Sequence, residues 1–100
     1  MLIYNTTFQV DDEVCDNFVI WIKESYIPEV EKQGTLKHSR FCKILSHRSE
    51  GSSFSLQWEV ENSSLLHRWH MEQGTKLNEE LMKLFENKVI GFPTLMEVIA

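Results

Sequence analysis

Leu2, Tyr4, Phe8 and Val10 alternate with Asn5, Thr7 and Gln9 at the head of the chain. That period of two predicts a strand with one buried face. Asp11-Asp12-Glu13 follows with an N-cap and first-turn acids suited to a helix dipole. The spacing then changes: Val14, Phe18, Trp21 and Ile22 fall on one face of a helix, with Asp16, Lys23 and Glu24 largely off it. Pro28 has no N–H and disfavours helical backbone at Ile27, so this helix is expected to stop or kink near Tyr26. Pro28 then suits the first turn of a second short helix, which Gly34 would end as a left-handed cap.

Residues 36–46 and 53–62 read as a hairpin about Ser49-Glu50-Gly51-Ser52. Centring the turn on Glu50 and Gly51 pairs Phe41 with Val60, Lys43 with Trp58, Leu45 with Leu56 and His47 with Phe54, a mainly apolar face. The other face pairs Arg40 with Glu61, Cys42 with Glu59, Ile44 with Gln57 and Ser46 with Ser55. Asn62-Ser63-Ser64 offers caps for a further helix whose Leu66, Trp69, Leu77, Leu81 and Leu84 share a face, with Gly74 as a break inside it. The last strand is Val89 to Ile99, and its Pro93 removes a ladder donor and argues for a sheet edge. The order β-α-β-β-α-β predicts the ferredoxin-like α+β fold, a four-stranded antiparallel sheet in the order 4-1-3-2 with both helices on one face.

Composition narrows the class. The chain has 100 residues, 42% hydrophobic and 25% charged, with four Gly and two Pro. One ordinary globular domain over 1–100 is expected, since disorder, collagen and disulfide scaffolds all need other compositions. A net charge of -5, spread over both halves, weighs against a nucleic-acid partner, which needs a basic stripe. No apolar stretch suggests a signal peptide or membrane span, so no membrane partner is expected and the cytoplasm is the default setting. Cys15 and Cys42 fit neither a CxxC motif nor a secreted framework and are read as reduced thiols.

The candidate chemistry is sparse. The helix-free face should carry Ile3, Asn5, Thr7, Gln9, Arg40, Cys42, Ile44, Gln57, Glu59 and Glu61. A lone sheet could leave such a face solvated. Two sheets facing each other in a homodimer would instead make it the lining of a chamber, with Asn5, Thr7, Arg40, Gln57 and Glu59 around a small ligand and Tyr26 at the rim. Asn5 and Gln57 would be neighbours there, and Arg40 would favour a carboxylate or other anionic guest. His67 and His70, three apart on a helix, could reach one ion, but no third ligand accompanies them and solvent-facing histidines are the simpler reading. His38 belongs with Arg40 on the open face, and exposure accounts for it better than acid–base work. Ser55 and Ser64 lack a nucleophile motif, and no cofactor is implied. Lys37, Arg40, Lys43 and Arg48 face the acids of the next strand and read as a hairpin charge ladder. Trp21, Trp58 and Trp69 all fall on core faces and read as packing.

The stretch Trp21-Ile22-Lys23-Glu24-Ser25-Tyr26-Ile27-Pro28-Glu29-Val30, preceded by Ile3-Tyr4-Asn5 and followed by Gly34, resembles a family of short bacterial proteins classed as a domain of unknown function. The similarity spans nearly the whole chain. It implies membership of the dimeric α+β barrel group, in which two ferredoxin-like sheets pack face to face. That group includes small monooxygenases, isomerases, haem proteins and ligand sensors, so the resemblance implies a fold and a homodimer but no one activity. The family pattern has a histidine before the Ile-Pro pair where this chain has Tyr26, so a role for that histidine does not carry over. A small homodimeric barrel that binds a molecule between its sheets is the expected function. An orphan monooxygenase or isomerase, cofactor-independent or haem-dependent, and a structural interaction module are the alternatives.

Overall fold

The computed structural model describes residues 1–46 and 50–100. Strands β1 (Leu2–Val10), β2 (Lys37–Ile44), β3 (Ser52–Val60) and β4 (Val89–Glu97) form one antiparallel sheet in the order β2-β3-β1-β4. This is the ferredoxin-like arrangement the alternation predicts, with β4 and its Pro93 at an edge. The last strand ends at Glu97, two residues before the expected Ile99.

Two helices cover one face among the described residues, and each contains a wide turn. Helix α1 (residues 15–33) runs as α-helix over Cys15–Trp21, as π-helix over Ile22–Tyr26 and again as α-helix over Ile27–Gln33. The helix therefore does not stop near Tyr26; the irregularity expected there takes the form of a π turn, after which an α segment begins with Pro28 in its first turn, as expected. The Ile27 N–H reaches back five residues to the Ile22 carbonyl, and both junction residues keep right-handed helical backbone. The wide turn accommodates a residue without an N–H, and the helix continues through Pro28. Gly34, at φ 78°, ends it in the left-handed conformation that glycine adopts without cost.

Helix α2 (residues 63–85) repeats the device, with α-helix over Ser63–Trp69, π-helix over His70–Gly74 and α-helix over Thr75–Phe85. Here the Thr75 N–H meets the His70 carbonyl, which also accepts from the Thr75 hydroxyl at 3.0 Å. Gly74 therefore sits in a continuous helix rather than in a break. The extra residue in this turn rotates the last segment, so Phe85 is buried and Leu84, expected on the core face, is exposed. Asn62 caps the helix through Leu65 N–H at 2.9 Å, and Asp11 caps the turn before α1 through Glu13 N–H at 3.1 Å. No helix among the described residues is long and apolar enough to cross a membrane.

The core lies between this helical layer and the sheet. Phe18 is wholly buried at its centre, with ring centroids 5.1 Å from Phe8, 5.7 Å from Phe54 and 5.8 Å from Phe85. Trp58 and Trp69 are buried as expected, whereas Trp21 is half-buried.

The hairpin register differs from expectation by four residues. Phe41 pairs with Leu56, Lys43 with Phe54, Arg40 with Gln57, Cys42 with Ser55 and Ile44 with Ser53. Arg40 therefore does not face Glu61, Cys42 does not face Glu59 and Ile44 does not face Gln57. The reason lies at Gly51, which has φ 82° and packs so close to the Val10 carbonyl that a Cβ would collide with it. The Glu50 carbonyl also accepts from Gln9 Nε2 at 2.7 Å. Residues 50 and 51 are thus docked on the end of β1, and the turn cannot centre on them. The expected His47–Phe54 pair, Arg48 of the charge ladder and Ser49 of the turn lie outside the described residues. Of the remaining ladder, only Lys37 faces an acid, Glu59, while Arg40 faces Gln57 and Lys43 faces Phe54.

Candidate functional site

The open face of the sheet collects the polar residues the alternation assigned to it. Across the strands, Arg40, Gln57, Asn5 and Thr94 form one row, and Cys42, Ser55, Thr7 and Phe92 the next. The expected adjacency of Asn5 and Gln57 is a direct cross-strand pair. These groups mostly satisfy one another. Ser55 donates to Asn5 Oδ1 at 2.5 Å, Asn5 Nδ2 to Thr7 Oγ1 at 3.1 Å, and Ser53 to Gln9 Oε1 at 2.7 Å. Glu59 meets His38 Nδ1 at 2.9 Å, across a bulge between Lys37 and Arg40 where His38 takes a φ of 54°. Asn5, Thr7, Arg40 and Gln57 line none of the main cavities among the described residues. Toward β4 the face turns apolar and stays bare, with Ile90 51%, Phe92 57% and Met96 39% exposed.

Tyr26 is not at the rim of that face. It lies on the other side of the sheet, in a cavity of about 180 Å³ between the helices and strands β1 and β4. Tyr4, Thr6 and Phe8 form the floor, and Gly91 and Pro93 one side. The helices contribute Trp21 and Tyr26 from α1, and Trp69, His70, Gly74, Leu77, Asn78 and Leu81 from α2. Both π turns thus border the cavity, each supplying residues at its end. Such turns are rare in helices and recur at functional sites.

Local chemistry fixes these walls. Trp69 Nε1 donates to Gln33 Oε1 at 2.6 Å, and Gln33 Nε2 donates to Gln73 Oε1 at 3.3 Å, which ties α1 to α2. Trp69 also stands edge-on to Tyr4, with centroids 6.4 Å apart, and Trp21 lies 5.5 Å from Tyr26. Gly74 leaves room for the Trp69 ring, and a Cβ at Gly91 would sit 3.3 Å from both Phe8 and Thr6. Burial pushes the Tyr26 phenol well above its ordinary pKa, and the neighbouring Tyr4 adds to the shift. At neutral pH it is therefore a hydroxyl donor. Among the described side-chain hydrogen bonds Tyr26 makes none.

The cavity meets a larger groove between the helices, about 530 Å³ in volume, with which it shares Trp21, Tyr26 and Leu77. Glu24, Glu29, Lys32, Lys76 and Glu80 line that groove, whereas no Asp, Glu, Lys or Arg lines the inner cavity. His67 and His70 are both exposed, and no group of three or more His, Cys, Asp or Glu among the described residues could hold a metal ion. Cys15 and Cys42 are free.

The sequence reading missed Tyr4, Thr6, Asn78 and Gly91 as cavity residues. The available signals were the interruptions at Pro28 and Gly74, which read as a helix end and a break but accompany the two π turns that border the cavity.

Comparison with known proteins fits this fold. The profile of the family described as Domain of unknown function (DUF4286) matches residues 1–99. No curated protein matches the sequence. Among solved structures, a putative antibiotic biosynthesis monooxygenase from Deinococcus radiodurans superposes with a TM-score of 0.73 at 16% identity, over 100% of this chain and 94% of that one. An ethyl tert-butyl ether D family protein from Bacillus halodurans gives 0.68 at 14% identity, over 99% and 100%. A protein described as dimeric ferredoxin-like, from an uncultured marine organism, gives 0.70 at 11% identity, over 99% and 95%. At these identities the likeness carries the fold alone.

Proposed function

The chain belongs to the DUF4286 family, and we propose that it acts as a homodimer joined through its open sheet faces, each copy binding a small molecule between its helices and its sheet. Residues 1–100 form the working unit. The observation that carries this reading is the contrast between the two sides of the sheet. One side is internally hydrogen-bonded and edged by bare Ile90, Phe92 and Met96, while the other holds a cavity with a half-buried phenol and two wide helical turns. An apolar strip of this kind suits a two-fold partner that offers the same strip. The dimeric description of the marine neighbour supports a dimer. A bacterial cytoplasmic setting accords with the free cysteines and with the bacterial sources of two similar structures.

The three tryptophan indoles test the ligand site. In an NMR screen of small cyclic molecules, binding should move the Trp21 and Trp69 indole signals more than that of Trp58, which pairs with Tyr4 across the strands but does not itself line the cavity. A second reading places an anionic ligand between the two sheets, against Asn5, Thr7, Arg40, Gln57 and Glu59. What favours it is Arg40, which is exposed and has no carboxylate partner among the described ion pairs. Ligands of that kind would move the backbone signals of β2 and β3 and would be lost in Arg40→Ala. An orphan enzyme of the monooxygenase type is the alternative from another class. It would need turnover of a cavity ligand, whereas a structural module would bind nothing on either side.

A further inference from the structure

Resting on the cavity reading above, we propose that the occupant is an uncharged, single-ring molecule carrying a hydrogen-bond acceptor, which the Tyr26 hydroxyl engages. Size sets the first limit, because an apolar cavity of about 150 Å³ accommodates benzene and this one measures about 180 Å³. Shape sets the second. Tyr4, Phe8, Trp21 and Trp69 bring aromatic faces and edges to the walls, which favours a flat guest. Charge sets the third: carboxylates, ammonium groups and guanidinium groups are absent from the inner space, whose polar groups include Thr6, Tyr26, His70 and Asn78, so an ion passing inward from the charged outer groove would lose solvation and meet no fixed opposite charge. The Tyr26 side chain stands half-buried between this cavity and the outer groove, and its hydroxyl, without a partner among the described hydrogen bonds, can donate to a guest that brings an acceptor. Its raised pKa keeps it a donor at neutral pH.

Three probes of similar size separate these elements: ethylbenzene, acetophenone and benzoate. Affinities are measured for the wild type and for Tyr26→Phe, with the Trp21 and Trp69 indole signals followed by NMR and the variant's fold checked by circular dichroism. Acetophenone should bind and lose about fivefold in affinity in Tyr26→Phe, the scale of one net hydrogen bond, while ethylbenzene is unchanged. Benzoate should bind weakest. If both neutral probes move the two indoles but Tyr26→Phe affects them equally, the acceptor proposal is overturned and the cavity reading stands. Tighter binding of benzoate overturns the requirement for an uncharged ligand. If no probe moves either indole, the proposal and the cavity reading fall together.

Discussion

Replacing Gly74 with alanine sets two effects of known size against each other. Gly74 has helical backbone at the end of a π turn, so alanine there should gain about 1 kcal/mol of helix propensity. The new Cβ, however, would stand 2.9 Å from Trp69 Cζ3 and 3.1 Å from His70 Nδ1. His70 is exposed and can swing away, but Trp69 is only 4% exposed. Its indole is held by Gln33 at 2.6 Å and its ring packs against Tyr4. Overpacking against a side chain fixed in this way costs about 1–3 kcal/mol. The clash should win, and Gly74→Ala should lose about 1 kcal/mol overall. Urea unfolding at fixed protein concentration measures this, as a lower midpoint with an unchanged slope. The double variant with Trp69→Phe checks the cause: with the larger ring gone, the same alanine should stabilise by about 1 kcal/mol relative to Trp69→Phe alone. If Gly74→Ala stabilises the wild type by the full helix increment, the contact with Trp69 does not explain this glycine.

Gly51→Ala should cost about 1–3 kcal/mol, because the site combines a φ of 82° with a collision against the Val10 carbonyl; thermal unfolding reads the loss. Gln33→Leu should leave the buried Trp69 N–H without its acceptor and cost about 1–3 kcal/mol in urea unfolding, with the Trp69 indole signal displaced. Stability should also fall in alkali. Folding raises the Tyr26 pKa, so unfolding releases its proton once the pH passes the unfolded value of about 10; this contribution is intact below that pH and is lost as pH rises above it. Tyr26→Phe should therefore show a shallower loss of melting temperature above that pH, and identical slopes would refute the assignment.

Much of the fold was legible because period and face are local properties. The alternation along Leu2 to Val10 placed Asn5 and Thr7 on the open side, the caps at Asp11 and Asn62 were visible as residue types, and Pro93 identified an edge. The hairpin register was not legible, because a slip of four residues keeps every side chain on its own face and leaves the alternation unchanged. What selected the true register is a long-range contact, Gly51 against Val10. The wide turns were hidden for a similar reason. A five-residue step such as Trp69 to Gly74 resembles an interruption until both sides prove to be one helix. The cavity was least legible of all. Its lining comes from both helices and from strands β1 and β4, with small groups at Gly74 and Gly91, and no single stretch of sequence encodes that space.

The account stands most directly on the sheet's open face being covered by a second copy, with the ligand on the opposite side. Light scattering at micromolar concentration, on the wild type and on Phe92→Asp, tests it in one measurement. Phe92 is 57% exposed and belongs to none of the buried core, so the substitution leaves the single copy's packing intact. The account predicts about twice the 11.8 kDa chain mass for the wild type and a single chain mass for Phe92→Asp. A wild-type protein that remains at a single chain mass, or a Phe92→Asp variant that stays dimeric, would contradict it.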